Sequence, residues 1–420
     1  MTKNMSAEII CVGTEILLGD ILNSNAQFLA QELATLGIPH YYQTVVGDNL
    51  SRIHGVIETA VSRSSILIFT GGLGPTPDDL TTDAIATYFK TKLVEKPEVI
   101  EDIRNKFERR GRKMTPNNRK QALIPQGALV LPNKTGTAPG MIWEKEKMII
   151  LSFPGVPSEM KQMWQDTAVP FLKSKGWGKE IIYSEMMRFR GIGESDLAQK
   201  VNHLFDLTSP TVAPYASHGE VKLRVSAKAK TPQEAQAIID PIAAQIRAIA
   251  LDDYFGSNDD TLASVVGKRL RERKETLAVA ESCTGGGLGA MLTEIEGSSD
   301  YFVGGVIAYS NDVKIKLLGV SAQVLEEEGA VSGAVAEQMA QGVIKTLDTT
   351  WGIGITGIAG PGGGTPIKPV GLVYVGIASQ DGHCSHYGYS LGDNRGRNLV
   401  RHLSACQALD QLRRLIQLKD

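Results

Sequence analysis

Apolar and polar positions in the first seventy residues predict strands and helices in turn. Residues 8–12, 40–46 and 65–70 are apolar-rich runs typical of strands, and the last is apolar enough to be buried on both faces. Between them, residues 23–36 and 50–61 carry apolar side chains at helical spacing. This β-α-β-α-β alternation predicts a parallel sheet covered by helices, an α/β fold whose ligands bind at the carboxyl ends of the strands.

The rest of the chain predicts two further units. After a short linker at 175–179, residues 181–251 read as strand, helix, strand and helix, a small α+β unit. Residues 252–260 are polar and predict a second boundary, beyond which strands and helices alternate again. We therefore expect three domains, which cover residues 1–175, 176–256 and 257–420.

Composition narrows the classes of function. The 420 residues are 42% hydrophobic and 21% charged with a formal net charge of −2, which is typical of a soluble globular protein. No global charge would attract nucleic acid or anionic lipid, so we expect neither as a partner. The four cysteines are scattered without a CxxC motif, and no apolar run reaches the roughly 20 residues of a membrane helix. We expect a cytoplasmic protein without disulfides or a zinc site.

The most informative stretch follows the apolar run 276–280. Ser282 comes two residues after this predicted strand, and three glycines then lead into a predicted helix. A hydroxyl between a strand end and a helix N-terminus is a common position for a nucleophile, because nearby N–H groups lack helical partners and can hold an oxyanion. The same pattern also fits a tight turn whose glycines serve only packing.

A second glycine-rich loop ends the third predicted strand. Its backbone could wrap N–H groups round a phosphate; the residues concerned are Gly71, Gly72, Gly74 and Thr76. Asp78 and Asp79 could hold a divalent cation, with Glu15 from the first loop and Glu159 from a later helix. Alternatively, the two aspartates cap and charge the next helix, and Glu159 complements its own helix dipole.

One apparent nucleotide motif is rejected. Residues 352–357 match GxGxxG, the spacing of a dinucleotide-binding turn. The match lies inside a predicted strand and is followed by proline and glycine rather than by a helix. It therefore lacks the strand–turn–helix context that gives the motif its function.

Six short motifs together carry a family resemblance. They are residues 13–17 (GTEIL), 71–79 (GGLGPTPDD), 154–160 (PGVPSEM), 280–286 (AESCTGG), 308–314 (AYSNDVK) and 357–363 (GIAGPGG). The chain resembles the CinA family over its whole length. The resemblance implies an N-terminal domain similar to the molybdopterin-binding fold, a KH-type spacer, and a C-terminal nicotinamide-mononucleotide (NMN) deamidase. Homodimers are typical of the family.

The resemblance also implies roles for the C-terminal residues. Ser282 would attack the carboxamide of NMN, Lys314 would be its base if burial depresses the amine pKa, and Tyr309 could orient or relay. Cys283 is the rival nucleophile. The implied substrate contacts are N–H groups at Thr284, Gly285 and Gly286 for the oxyanion, Thr356 and Gly357 in the site, and Arg397 and Arg401 for the 5′-phosphate. The products would be nicotinate mononucleotide and ammonia, with no cofactor.

One departure leaves a choice between two arginines. The family's usual Gly-Asp-Arg is stretched here to residues 392–397 (GDNRGR). Arg397 keeps the onward spacing and is the better phosphate ligand, with Arg395 as the alternative.

In the N-terminal domain, the resemblance implies an ADP-ribose pyrophosphatase that uses Mg²⁺ or Co²⁺ at Glu15, Asp78, Asp79 and Glu159. The alternative for either domain is a nucleotide- or pterin-binding module whose catalysis has been lost.

Overall fold

The computed structural model describes residues 6–217 and 219–417. By its contacts the chain divides into two compact units. One consists of Met1–Ser184 with Ser226–Asp240, and the other of Glu185–Val225 with Pro241–Asp420. Among the described residues, no helix is both long and apolar enough to cross a membrane.

The N-terminal segment is built on a six-stranded sheet. The segment contains eight strands. They are β1 Ala7–Val12, β2 His40–Val46, β3 Ile66–Thr70, β4 Leu93–Glu95, β5 Leu123–Pro125, β6 Leu129–Leu131, β7 Gly140–Lys145 and β8 Met148–Phe153. All except β4 and β5 belong to this sheet. The sheet has the order β2-β1-β3-β8-β7-β6, and β4 pairs separately with β5. The strands β2, β1, β3 and β8 run parallel, while β7 and β6 join antiparallel.

Helices cover this sheet. They are α1 Thr14–Leu18, α2 Ser24–Thr35, α3 Leu50–Arg63, α4 Thr81–Tyr88, α5 Pro97–Arg109, α6 Pro157–Met163 and α7 Val169–Ser174. The apolar faces predicted for residues 23–36 and 50–61 are buried. Leu29 and Leu33 supply this face in α2, and Ile53 and Ile57 supply it in α3. Every residue of β3 is buried as well, because helices pack on both faces of a parallel sheet.

The middle segment contains two strands that the sequence did not predict. Its elements are β9 Ile181–Phe189, α8 Glu194–Lys200, β10 Thr211–Ser217, β11 Glu220–Ala229, α9 Pro232–Ala250 and β12 Tyr254–Ser257, with strand order β10-β11-β9-β12. The strand β12 lies inside the polar stretch 252–260, where a boundary was predicted. Its pairing with β9 and the burial of Phe255 hold this stretch in the sheet, and neither is visible as local periodicity.

The C-terminal segment forms a five-stranded mixed sheet. Its strands are β13 Leu277–Glu281, β14 Phe302–Ile307, β15 Trp351–Gly357, β16 Leu372–Ser379 and β17 Cys384–Ser390, in the order β14-β13-β15-β16-β17. The strands β14, β13 and β15 are parallel, and β16 and β17 are antiparallel. The predicted α/β fold class, with its parallel sheet and small middle unit, is confirmed.

Six helices pack on this sheet: α10 Leu262–Arg273, α11 Gly287–Thr293, α12 Asn311–Leu318, α13 Ala322–Glu327, α14 Gly333–Leu347 and α15 Arg397–Gln417. The GxGxxG match lies within β15, as expected. A Cβ at Gly352 or Gly354 would clash with carbonyl oxygens of α14. These glycines therefore let a helix approach the strand closely, which explains the motif by packing.

Candidate active site

Ser282 lies at the carboxyl end of β13, in the turn that leads into α11. Its residue surface is 8% exposed, and its backbone N–H donates to the Ile355 carbonyl at 2.9 Å. The strand β13 has parallel partners on both sides, so Ser282 occupies the middle of the parallel edge. This is the edge at which α/β sheets bind their ligands.

Lys314 approaches Ser282 from α12, which begins after the capping residue Ser310. Lys314 is only 1% exposed. Its Nζ lies 3.2 Å from Ser282 Oγ and donates to the carbonyl oxygens of Ala308 at 2.9 Å and Tyr309 at 3.2 Å. A neutral amine held by two carbonyls keeps its lone pair for a third partner, and the serine hydroxyl is within reach.

Burial favours the neutral forms of both Lys314 and Cys283. It lowers the pKa of the Lys314 amine, because the ammonium form loses its hydration. Burial also raises the pKa of the Cys283 thiol to about 11, although Arg397 and Arg401 act in the opposite direction. A neutral amine can accept a proton, whereas a protonated thiol is a poor nucleophile. This pair of shifts favours Ser282 over Cys283 as the attacking group.

The backbone N–H groups of the turn can be accounted for one by one. The Ser282 N–H donates to the Ile355 carbonyl, the Gly285 N–H to the Ser282 carbonyl, and the Gly287 N–H to the Thr284 carbonyl. The N–H groups of Gly286, Leu288 and Gly289 donate to the Glu281 carboxylate. Within the described part of the chain, no carbonyl or carboxylate accepts from the N–H groups of Cys283 and Thr284, although the Cys283 N–H interacts with its own thiol. Of the three oxyanion donors predicted, Gly285 and Gly286 are already engaged, whereas the Thr284 N–H has no acceptor among the described residues but belongs to a buried residue that does not line the described cavity wall.

A cavity of about 260 Å³ opens at this turn. The predicted residues on its wall are Ser282, Tyr309, Lys314, Thr356, Gly357 and Arg397. The Thr356 hydroxyl donates to the Ala330 carbonyl at 2.7 Å and so shapes the wall. A Cβ at Gly357 would lie 2.8 Å from the Leu372 carbonyl oxygen, so a larger residue there would displace the backbone.

Arg397 is exposed at the edge of this cavity. Its guanidinium donates to the Gly360 carbonyl at 2.8 Å and to the Tyr309 hydroxyl at 3.4 Å. Arg395 is also exposed but does not contribute to the described wall. The position of Arg397 therefore suits a group bound in the cavity better than that of Arg395.

Tyr309 and Arg401 make contacts other than those their predicted roles suggest. The contact between Tyr309 and Lys314 is made by the Tyr309 carbonyl, while the residue as a whole is 64% exposed and its hydroxyl accepts from Arg397. Arg401 donates to the Thr284 carbonyl at 2.6 and 3.2 Å. Arg401 thus holds the backbone of the turn, whereas Tyr309 holds the Lys314 amine through its carbonyl and the Arg397 guanidinium through its hydroxyl.

A larger cavity, of about 730 Å³, lies at the carboxyl ends of β1, β3 and β8. The predicted residues on its wall are Glu15, Gly71, Gly72, Gly74, Asp78, Asp79 and Glu159. Thr76 donates its N–H to Asp79 Oδ2 at 2.8 Å. Gly71 and Gly72 have φ angles of 96° and 66°, a left-handed conformation that favours glycine.

The four carboxylates share this cavity but are not gathered into a metal site. Within residues 6–217 and 219–417, no three His, Cys, Asp or Glu side chains lie close enough together to hold a metal ion. Two carboxylates already accept hydrogen bonds, Asp79 from Thr76 and Glu159 from Asn133 at 2.7 Å. Mg²⁺ commonly takes one or two carboxylates and completes its shell with substrate phosphates, so the metal stays a prediction.

The sequence did not indicate two residues of these sites. Asn25 lines the larger cavity, is 8% exposed, and has a buried Oδ1 without a partner among the described residues, while its Nδ2 donates to Thr70 and Gly155. Glu281 accepts the three N–H bonds described above. An acidic residue just before a glycine-rich helix start was the available signal for Glu281. For Asn25 no local signal existed.

Three family descriptions match successive parts of the chain. Residues 8–174 match a probable molybdopterin binding domain, residues 184–256 the damage-inducible protein CinA KH domain, and residues 259–416 the CinA C-terminal domain.

Similar proteins match nearly the full length. The chain is 67% identical over 411 residues to a CinA-like protein of Crocosphaera subtropica, covering 98% of this chain and 99% of that protein. It is 68% identical over 411 residues to a CinA-like protein of Nostoc punctiforme, with the same coverage. The solved structure of the competence/damage inducible protein CihA from Agrobacterium tumefaciens is 38% identical in sequence, with a TM-score of 0.36. The match covers 38% of this chain and 94% of the CihA chain. The chain therefore belongs to the family of CinA-like proteins.

Proposed function

We propose that the C-terminal domain hydrolyses the carboxamide of NMN, giving nicotinate mononucleotide and ammonia. One observation carries the proposal: the buried Lys314 Nζ lies 3.2 Å from Ser282 Oγ, and burial lowers the pKa of that amine. An amide is a poor electrophile, so its hydrolysis needs an activated nucleophile and donors for the oxyanion. The turn after β13 carries Ser282 and the N–H groups that would take these two roles, with Lys314 of α12 as the activating base.

The reaction runs through an acyl-enzyme. Ser282 Oγ bonds to the carboxamide carbon while its proton passes to neutral Lys314, and the carbonyl electrons move onto oxygen. The N–H groups of Cys283 and Thr284 receive this oxyanion. Lys314 then returns the proton to the amide nitrogen, the C–N bond breaks and ammonia leaves. Water attacks the ester in the same manner, with Lys314 as base, and regenerates Ser282.

Cationic side chains at the cavity suit a nucleotide phosphate. Arg397 lies at the cavity edge. Arg401 bonds the Thr284 carbonyl in the turn after β13. A guanidinium offers five N–H donors, so Arg397 can keep its bonds to Gly360 and Tyr309 and still bind phosphate oxygens. We assign the 5′-phosphate of NMN to Arg397, with Arg401 as a second charge nearby.

Ammonia release from NMN tests this proposal directly. Ser282→Ala should abolish turnover while Cys283 is intact, and Cys283→Ala should retain it. Wild-type turnover by Ser282→Ala would transfer the nucleophile to Cys283. No ammonia from the wild type, with NMN shown to bind, would favour a binding module that has lost catalysis.

We also propose that the N-terminal domain cleaves the pyrophosphate of ADP-ribose. The supporting observation is one cavity that combines the Gly71–Gly72 backbone with four acidic side chains. A divalent cation held by Glu15, Asp78, Asp79 or Glu159 would neutralise the pyrophosphate charge. The Gly71 N–H already donates to the Phe153 carbonyl at 3.0 Å, so the N–H groups of Gly72 and Gly74 would orient the phosphates.

Formation of AMP from ADP-ribose, with Mg²⁺ or Co²⁺ and with EDTA, tests this second activity. Asp79→Asn should reduce AMP formation without changing ammonia release from NMN. Binding of ADP-ribose without cleavage under all three conditions would leave this domain as a binding module.

A further inference from the structure

Glu281 directly precedes Ser282 and is 2% exposed. Among the described residues it pairs with no cationic side chain. Its carboxylate instead accepts three backbone hydrogen bonds, from Gly286 and Leu288 at 3.0 Å and from Gly289 at 2.8 Å. Bonds from N–H groups at a helix N-terminus stabilise a buried negative charge, so the residue is held without a counter-ion.

The main chain of Glu281 is fixed by a different element. Its carbonyl oxygen accepts a hydrogen bond from the Ala308 N–H at 2.8 Å. The carbonyl of the same Ala308 accepts from Lys314 Nζ at 2.9 Å. Glu281 therefore connects three parts of the site: the end of β13, the first turn of α11, and the backbone that holds the amine.

The carboxylate also decides which N–H groups remain for a substrate. By occupying Gly286, Leu288 and Gly289, it removes the helix N-terminus as an anion site. The N–H groups of Cys283 and Thr284 are left, and the Thr284 hydroxyl is likewise buried without a partner among the described residues. A buried hydroxyl without a partner calls for an explanation, and an oxygen of a substrate bound at this turn would supply one.

We propose that Glu281 is a positioning residue for the reaction at Ser282, an inference that rests on the proposed function. Its carboxylate holds the first turn of α11 so that the oxyanion binds the N–H groups of Cys283 and Thr284. Glu281 does not touch the substrate, and its effect is transmitted through the backbone of the turn.

Two substitutions should weaken this positioning to different degrees. In Glu281→Gln, the amide oxygen can still accept from Gly286 and Leu288, but the NH₂ group faces the Gly289 N–H. In Glu281→Ala all three bonds are lost, and we expect kcat for NMN to fall on the order of 10²–10³-fold, as when an oxyanion donor is removed. Glu281→Gln should lie between this variant and the wild type. KM should change little, because no substrate contact is altered.

A control separates positioning from simple helix capping. Thr261 caps α10 through a bond from the Ser264 N–H at 3.0 Å, in the same domain but outside the site. Thr261→Ala should lower the melting temperature and leave kcat unchanged. If Glu281→Gln and Glu281→Ala also lose only melting temperature and keep the wild-type kcat, Glu281 is a capping residue and the inference is wrong. If Glu281→Ala does not fold, Glu281→Gln decides alone.

A second readout does not depend on NMN. A fluorophosphonate probe modifies an activated serine and places its P–O oxygen where the oxyanion would lie. We expect slower labelling of Ser282 in Glu281→Gln, measured by mass spectrometry, with the acid limb of the pH profile unchanged. If the wild type is labelled but does not turn over NMN, the proposed substrate is wrong. The rate of labelling then still tests the role of Glu281. Equal rates in wild type and Glu281→Gln would overturn the inference, and an unlabelled wild-type Ser282 would overturn both proposals.

Discussion

Lys314 Nζ lies 3.2 Å from Ser282 Oγ, although the two residues are 32 positions apart in the chain. The parallel pairing of β13 with β14 explains this closeness. Parallel strands end at the same edge of a sheet, so the turn after β13 and the helix after β14 start side by side. The pair is then buried together, and burial lowers the pKa of the amine.

Replacement of Lys314 by Met should abolish most of the amidase activity. The change keeps the length of the side chain but removes the base, and we expect kcat to fall on the order of 10²–10⁴-fold. Lys314→Arg should be equally inactive, because a guanidinium stays charged. Lys316→Met, on the exposed face of the same helix, is the matched control. Wild-type kcat in Lys314→Met would show that another group accepts the proton.

The lowered pKa of Lys314 should appear in the pH dependence of activity. Only the neutral amine can accept the Ser282 proton, so kcat/KM for NMN should rise with pH and level off above the pKa of Lys314 in the free enzyme. Steady-state rates across pH 5–10 measure this profile. A profile that falls over the acid limb as pH rises would contradict the role of Lys314 as base.

The same shift predicts a change in stability. The folded-state pKa of Lys314 lies below its ordinary value of 10.5, so the unfolded chain binds this proton more tightly. The contribution of Lys314 to stability is therefore lowest below its folded-state pKa and improves as pH rises toward 10.5. The melting temperature of the wild type minus that of Lys314→Met should therefore increase as pH rises. A constant difference would mean that the pKa is not lowered.

Cys283 should be unreactive despite its position beside Ser282. With a pKa of about 11, only about one thiol in 10⁴ is ionised at pH 7. Iodoacetamide should therefore modify Cys283 slowly in the folded protein and rapidly in urea, as followed by peptide mass spectrometry. Rapid modification in the folded state, with loss of ammonia release in Cys283→Ala, would make the thiol the nucleophile.

The choice between Arg397 and Arg395 can be made from KM. Loss of a charge-assisted hydrogen bond costs about 1.5–3 kcal/mol, so Arg397→Gln should raise KM for NMN by about 10- to 100-fold. Arg395→Gln is the control, since Arg395 does not contribute to the described wall of the cavity, and its KM should stay near that of the wild type. The reverse pattern would assign the phosphate to Arg395.

Gly71→Ala should destabilise the N-terminal domain. Gly71 has a φ angle of 96°, and a Cβ there would clash with the Val12 carbonyl oxygen. We expect a loss of more than about 1 kcal/mol in the free energy of unfolding. Gly55→Ala, in helix α3 with open space around the added Cβ, should instead stabilise by about 0.5–1 kcal/mol. Urea unfolding compares the two, and equal stability would refute the strain at Gly71.

Local patterns were sufficient for most of the architecture. The apolar faces of α2 and α3 are buried as their spacing predicted. Such signals depend on neighbours three or four residues away, so the sequence displays them directly. The strand β12 was missed because it is short and lies within a polar stretch, and only its pairing with β9 and the burial of Phe255 define it.

The sequence by itself determined the α/β alternation, the strand-end position of Ser282, and the family to which the chain belongs. Only the tertiary structure decided which N–H groups of the turn are free, that Tyr309 meets Lys314 through its carbonyl, and that Glu281 holds the first turn of α11. These features arise where distant segments meet at one edge of a sheet. Burial and hydrogen-bond partners there depend on spatial neighbours, and these neighbours are remote in the chain.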